Sequence, residues 1–195
     1  MIERDDVLRM FRESNGLLEG HFQLTSGLHS NQYFQCAKVL QYPSHTELLC
    51  ADIAEHFRNP SIDCVVAPAM GGIVVAQEVG RQLRLRTMFA ERKDGVLQLR
   101  RGFEISQDER VLLCEDVITT GGSVNELIDI VHTSGGIVVG VGAIVDRSNG
   151  KVHFENFHAV MTMNALTYEP ATCPLCREGI PIEKPGSRGS AIMKS

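Results

Sequence analysis

The sequence predicts an α/β fold, a parallel sheet flanked by helices with a small N-terminal hood. Three observations predict it. Cys64-Val65-Val66-Ala67, Thr87-Met88-Phe89-Ala90, Val111-Leu112-Leu113-Cys114 and Ile137-Val138-Val139-Gly140-Val141 are near-continuous apolar runs, as expected of strands covered on both faces. The runs alternate with stretches of helical period, and strand, helix, strand in succession means a parallel sheet. The chain before them carries short extended pieces around a turn instead. With 195 residues and 43% hydrophobic content, the chain is long enough to bury one substantial core. We divide it as a single domain, 1–195, with the hood at about 16–42, the core at about 44–165 and a tail at about 166–195.

Val7, Met10 and Phe11 share one helical face, and Gly16 stands where a terminator belongs, so the spacing predicts an opening helix. Two short extended pieces follow, around Gly20–Thr25 and Asn31–Gln35, with Ser26-Gly27 as the turn between them. Ser44 is placed to cap a helix in which Leu49, Ile53 and Phe57 recur, and Asn59-Pro60 is placed to stop it. Val124, Leu127, Ile128 and Val131 form the stripe of the clearest helix. The glycine- and serine-rich end, residues 186–195, is expected to fray.

Nineteen basic against 24 acidic residues leave a net charge of -5. That balance gives no long-range attraction to nucleic acid or an anionic membrane, so a phosphate site must be local. The charged start lacks the apolar segment of a secretory signal, and no run is long enough to span a bilayer. A cytoplasmic protein is the expectation. Four of the six cysteines lie in apolar or helical stretches, which argues against a disulfide framework.

The chemistry is concentrated in residues 111–123: a buried strand, Glu115 and Asp116 at its carboxyl end, Val117-Ile118, then Thr119, Thr120, Gly121, Gly122 and Ser123 opening a helix. Helix N-termini leave N–H groups unpaired and carry partial positive charge, so this loop is suited to a phosphate monoester. Carboxylates would repel the phosphate. Glu115 and Asp116 more plausibly accept hydrogen bonds from sugar hydroxyls or hold a magnesium-bound water shell. On residue logic alone, a plain helix cap and tight turn stays open as an alternative. A Walker loop is missing, and Gly140-Val141-Gly142 lacks the third glycine of a dinucleotide fingerprint.

The stretch 111–123 resembles the PRPP-binding signature of type I phosphoribosyltransferases, where PRPP is phosphoribosyl pyrophosphate. The likeness runs from the opening helix through Asp146-Arg147, and it is greatest to the orotate phosphoribosyltransferases of the short bacterial type. The resemblance implies the family fold, with Phe22 to Phe34 as the hood segment and Tyr33 and Phe34 lining the base pocket. It implies that Ala67-Pro68-Ala69-Met70-Gly71-Gly72 is a pyrophosphate loop, in which some family members carry a lysine where Gly71 stands. By the same likeness Thr119 and Arg147 serve orotate, and guanidinium suits a planar carboxylate through two parallel N–H bonds. Aromatic packing and a solvated surface arginine are the bland alternatives at Tyr33, Phe34 and Arg147.

The family's mobile catalytic loop carries arginine, lysines and histidine; here the matching stretch after Phe89 is short and has no histidine. Arg92 and Lys93, with Asp116, form the expected catalytic set, since cations neutralise a departing pyrophosphate. Cys173-Pro174-Leu175-Cys176 supplies half of a four-ligand zinc site at most; His153, His158 or a second subunit would have to supply the rest, and a small structural turn is preferred. The implied activity is transfer of the phosphoribosyl group of PRPP to orotate, with Mg2+ as cofactor, in a cytoplasmic homodimer of the de novo pyrimidine route. A purine-using enzyme and a PRPP-sensing regulator are the rivals.

Overall fold

The structure, a computed structural model, describes residues 2–24, 26–58, 61–163 and 166–185. Helix α1 (Arg4–Glu13) buries Val7, Met10 and Phe11, the face its spacing predicts. Its terminator is the residue before the expected glycine, since Asn15 itself takes the left-handed conformation at φ 53°. Gly16 is needed for a different reason: a Cβ there would lie 2.6 Å from Val39 Cγ2. The hood hairpin follows as β1 (Leu17–Gln23) and β2 (His29–Phe34), paired antiparallel, and α2 (Cys36–Leu40) leads out of it.

Helix α3 (Pro43–His56) begins two residues earlier than expected. Pro43 holds the first helical position and Tyr42 the cap, so Ser44 lies inside the first turn. Proline's fixed φ and missing N–H suit that first position, where the amide would have no partner anyway. The expected stop, Asn59-Pro60, lies outside the described residues, as does 186–195.

The core then alternates β3 (Cys64–Pro68), α4 (Gly71–Leu83), β4 (Arg86–Lys93), β5 (Val96–Leu99), β6 (Arg110–Ile118), α5 (Gly122–Thr133), β7 (Ile137–Asp146) and β8 (Phe157–Thr162). The sheet order is β5-β4-β3-β6-β7-β8, parallel except for the β4–β5 hairpin. Period-2 alternation divides the core between two faces. Val65, Leu112 and Ile144 meet Phe11, Leu49, Ile53 and Val79 on one side. Val66 and Leu113 meet Val124, Leu127 and Val131 of α5 on the other.

Two strands escaped the sequence reading. Strand β5 follows Asp94 and Gly95, both at positive φ (54° and 84°), a two-residue turn that closes a hairpin where a loop was expected. Strand β8 is only half-buried over most of its length, so its apolar pattern is broken. The tail supplies a further short strand, β9 (Thr167–Tyr168), which joins the hood beside β2, and then helix α6 (Pro174–Arg177). Among the described residues no helix is long and apolar enough to cross a membrane.

Candidate active site

The chain winds outward from β3 to β4 on one side of the sheet and from β6 to β8 on the other. The crevice over the carboxyl ends of β3 and β6 is therefore the topological switch point, where ligands of such sheets bind. Helix α5 starts there. Gly121 caps it at φ 73°, a left-handed conformation that favours glycine, and its first turn carries no acidic side chain. Glu115, Thr119, Thr120 and Gly121–Ser123 line a cleft of about 60 Å³ at this terminus. A larger cavity, about 670 Å³, lies between the β4–β5 hairpin and the flank of α5. The smaller cleft is the candidate site, because the amides that open α5 and the Glu115 carboxyl border it.

Strand β6 carries the acids to the same edge. Glu115 is 9% exposed, and its carboxyl accepts the Asp116 N–H at 3.1 Å. Burial and then the adjacent Asp116 carboxylate push the Glu115 pKa well above the usual carboxylate range. Asp116 turns its carboxylate to accept the Val117 N–H at 2.8 Å, and its backbone carbonyl accepts the Cys36 thiol at 3.7 Å, which ties α2 to the site. The pyrophosphate-loop candidates Met70, Gly71 and Gly72 stand at the start of α4; the Ala69–Met70 peptide is cis and Met70 is 83% exposed. A Cβ at Gly71 would overlap the Asp116 carboxylate. Glycine is required where the two loops meet, whatever ligand they take.

Arg147 follows β7, its N–H donating to Ile118 O at 2.8 Å, one strand over from the cleft at the start of α5. Its guanidinium lies 5.2 Å over the Phe34 ring, and its Nε is buried with no hydrogen-bond partner among the described residues. Desolvation lowers its pKa. Phe34 is itself core, 5% exposed and edge-on to Phe11 at 5.6 Å. Tyr33 is half-buried beside Phe22, its phenol pKa raised by burial and opposed by nearby Arg147. The structure thus brings Tyr33, Phe34 and Arg147 together as one cluster, with Phe34 the platform beneath the arginine.

A family model described as a phosphoribosyl transferase domain matches residues 44–164, more than half of the chain. The chain is also 55% identical over 185 residues to an orotate phosphoribosyltransferase of Chlorobium phaeobacteroides, covering 94% of this chain and 96% of that one. The chain belongs to the orotate phosphoribosyltransferase family. A family member from Caldicellulosiruptor bescii is 54% identical over 188 residues, 96% of this chain and 99% of that one. The solved orotate phosphoribosyltransferase of Aeropyrum pernix shares the fold, with a TM-score of 0.68 at 22% identity over 80% of this chain and 93% of that one.

Family membership makes this a pentosyltransferase, so a cation for the leaving group is expected, and the two candidates stand differently. Arg92 is tied to Glu126 of α5 by two contacts, at 3.0 Å and 2.5 Å, and donates to Gly95 O at 2.8 Å. Lys93, the next residue on β4, is exposed and points to the opposite face of the strand, the face on which α4 packs. The tail pair Cys173 and Cys176 does not meet His153 or His158; His158 instead contacts Asp52 at 2.6 Å. The side chains facing the pair are His21 and His29 of the hood, which sequence reasoning passed over. No local pattern links positions so far apart.

Proposed function

We propose that the protein transfers the phosphoribosyl group of PRPP to orotate, giving orotidine 5'-phosphate and pyrophosphate for pyrimidine synthesis. The observation that carries the choice of base is Arg147, a desolvated guanidinium with an unpartnered Nε beside the phosphate cradle. A buried cation lacking a counter-charge is costly, and a planar carboxylate meets it with two parallel hydrogen bonds. Orotate carries that carboxylate; adenine, hypoxanthine and uracil do not.

In this reading Thr119, Thr120, Gly121, Gly122 and Ser123 hold the 5'-phosphate, and Glu115 and Asp116 accept hydrogen bonds from the ribose hydroxyls. Met70, Gly71 and Gly72 face the pyrophosphate. Tyr33 covers the orotate ring, Phe34 supports Arg147, and Thr119 reaches the base side. The C1–O bond to pyrophosphate breaks as the C1–N bond to orotate forms, so positive character builds on C1 and negative charge on the leaving group. Lys93 is the cation best placed to offset that charge, with Arg92 steadying the hairpin that carries it. Little proton transfer is demanded, and positioning dominates.

The acidic pair fits Mg2+ in its chemistry, since Glu115, which lines the cleft, and the adjacent Asp116 offer hard oxygens suited to metal-bound water. Magnesium held there through water by Glu115 and Asp116 would screen the negative charge of the pyrophosphate. The reading includes a cytoplasmic homodimer, as the family resemblance implies. Its test is the loss of orotate absorbance on mixing protein, PRPP and magnesium, with adenine, hypoxanthine and uracil in parallel. Consumption of orotate alone supports the reading. Turnover of a purine, or PRPP binding with no turnover of any base, overturns it.

A further inference from the structure

Beyond the transfer site, four side chains from the two ends of the chain converge on one point. His21 and His29 come from the hood strands β1 and β2, Cys173 and Cys176 from the turn into α6 and from that helix. Their ligand atoms all lie within 4.8 Å of one another. His21 Nε2 is 3.0 Å from His29 Nδ1, the cysteine sulfurs are 3.6 Å and 3.7 Å from His21 Nε2, and Cys176 Sγ is 3.3 Å from His29 Nδ1. Zinc bond lengths of about 2.05 Å to nitrogen and about 2.3 Å to sulfur, at tetrahedral angles, imply N–N edges of about 3.3 Å and N–S edges of about 3.6 Å. These four separations match those edges to within about 0.3 Å, as a tetrahedral zinc site requires.

The surroundings match as well. His21 Nδ1 lies 2.8 Å from Ile180 O, so that nitrogen carries the proton and Nε2 presents its lone pair to the cluster. His21, His29 and Cys173 are 2%, 6% and 1% exposed, and both thiols are free rather than joined in a disulfide. Two thiolates and two imidazoles are the donor set of structural zinc, and four protein ligands leave no open position for a catalytic water.

We propose that His21, His29, Cys173 and Cys176 bind one zinc ion, which fastens the C-terminal segment across the hood. The chain is arranged as a strap. Strand β9 pairs with His29 and Ser30 on one side of the hairpin. Farther along, Gln23 N donates to Glu183 O and Glu183 N donates to His21 O, both at 2.8 Å, on the other. The metal sits between these attachments. Because the hood carries Tyr33 and Phe34, the ion holds the base side of the pocket and leaves the α5 cradle untouched.

The test is metal content first, which is independent of any activity. Protein purified without chelator is expected to hold one zinc per chain, and the Cys173→Ser, Cys176→Ser double variant none. Cobalt(II) added to chelator-stripped wild type is expected to give the intense visible bands of a tetrahedral site with near-ultraviolet thiolate charge transfer. His29→Gln, which keeps both thiols, should weaken the visible bands. Wild-type protein that binds neither zinc nor cobalt stoichiometrically, or a weak octahedral cobalt spectrum without a thiolate band, overturns the site. The strap role rests on the proposed orotate reading. There, zinc removal should raise the orotate KM at least fivefold and leave the PRPP KM within twofold; equal rises overturn that role while leaving the metal site standing.

Discussion

Replacing Arg147 by methionine separates binding from folding, because its effects on the two have different signs. In the protein as folded, the guanidinium has one favourable contact, the Phe34 ring at 5.2 Å, worth about 1–2 kcal/mol when desolvated. Against it stands a buried Nε with no partner among the described residues, a defect costing about 1–3 kcal/mol. The two nearly cancel, so Arg147→Met should change unfolding free energy by no more than about 1 kcal/mol, toward greater stability if either. Orotate binding loses two charge-assisted hydrogen bonds of about 1.5–3 kcal/mol each. Taking about 3–4 kcal/mol, kcat/KM for orotate falls roughly 10²- to 10³-fold, since each 1.4 kcal/mol is a factor of ten. The PRPP KM should stay within about threefold, because the cradle lies on another strand. Urea unfolding and initial rates at varied orotate and varied PRPP measure both. A loss of stability above about 2 kcal/mol, or parallel rises in the two KM values, would falsify the assignment of Arg147 to the carboxylate and make it a structural residue.

Other perturbations have equally definite outcomes. Gly71→Ala drives a Cβ into the Asp116 carboxylate, which must swing off the Val117 N–H; stability should drop about 1 kcal/mol while the PRPP KM rises at least tenfold, read from unfolding curves and steady-state rates. Glu115 has a folded-state pKa raised by burial, so the native state holds its proton to higher pH than the unfolded chain does. Its contribution is therefore most favourable below the unfolded value of about 4.3 and is lost as pH climbs through the raised folded value. Glu115→Gln should flatten that fall, leaving the variant more stable than wild type at pH 8 by chemical unfolding, yet weaker for PRPP by calorimetry. Lys93→Ala should reduce kcat about 10- to 100-fold. Arg92→Ala, which breaks an exposed ion pair with Glu126 and a hydrogen bond to Gly95 O, should cost about 0.5–1 kcal/mol of stability; a larger kcat loss for Arg92→Ala than for Lys93→Ala reverses the roles given to them.

The α/β alternation was open to reading because the central strands β3 and β6 are buried on both faces along most of their length and α5 on one stripe. Burial of that kind leaves a period in the sequence that needs no knowledge of partners. The strand-to-helix loop proposed to hold phosphate was legible as local structure for a related reason: its parts are contiguous from Val111 to Ser123, one strand end and one helix start. Boundaries were less secure. Pro43 displaced the expected cap at Ser44, and the Asp94-Gly95 hairpin replaced an expected loop, since neighbouring residues with similar turn chemistry compete for one position.

The sequence by itself determined most of the elements, their alternation and the strand-to-helix loop proposed as the anion cradle, because hydrophobic period and turn chemistry act between neighbours along the chain. Only the tertiary structure decided which distant groups meet. Glu126 neutralises Arg92, Phe34 carries Arg147, Gly71 clears the Asp116 carboxylate, and His21 and His29 face Cys173 and Cys176 across more than 140 residues. Such meetings are set by how loops close and how sheet faces pack, and closing a long loop costs free energy that grows only slowly with its length. Side chains far apart in sequence can therefore be brought together with no trace in the local pattern around either of them.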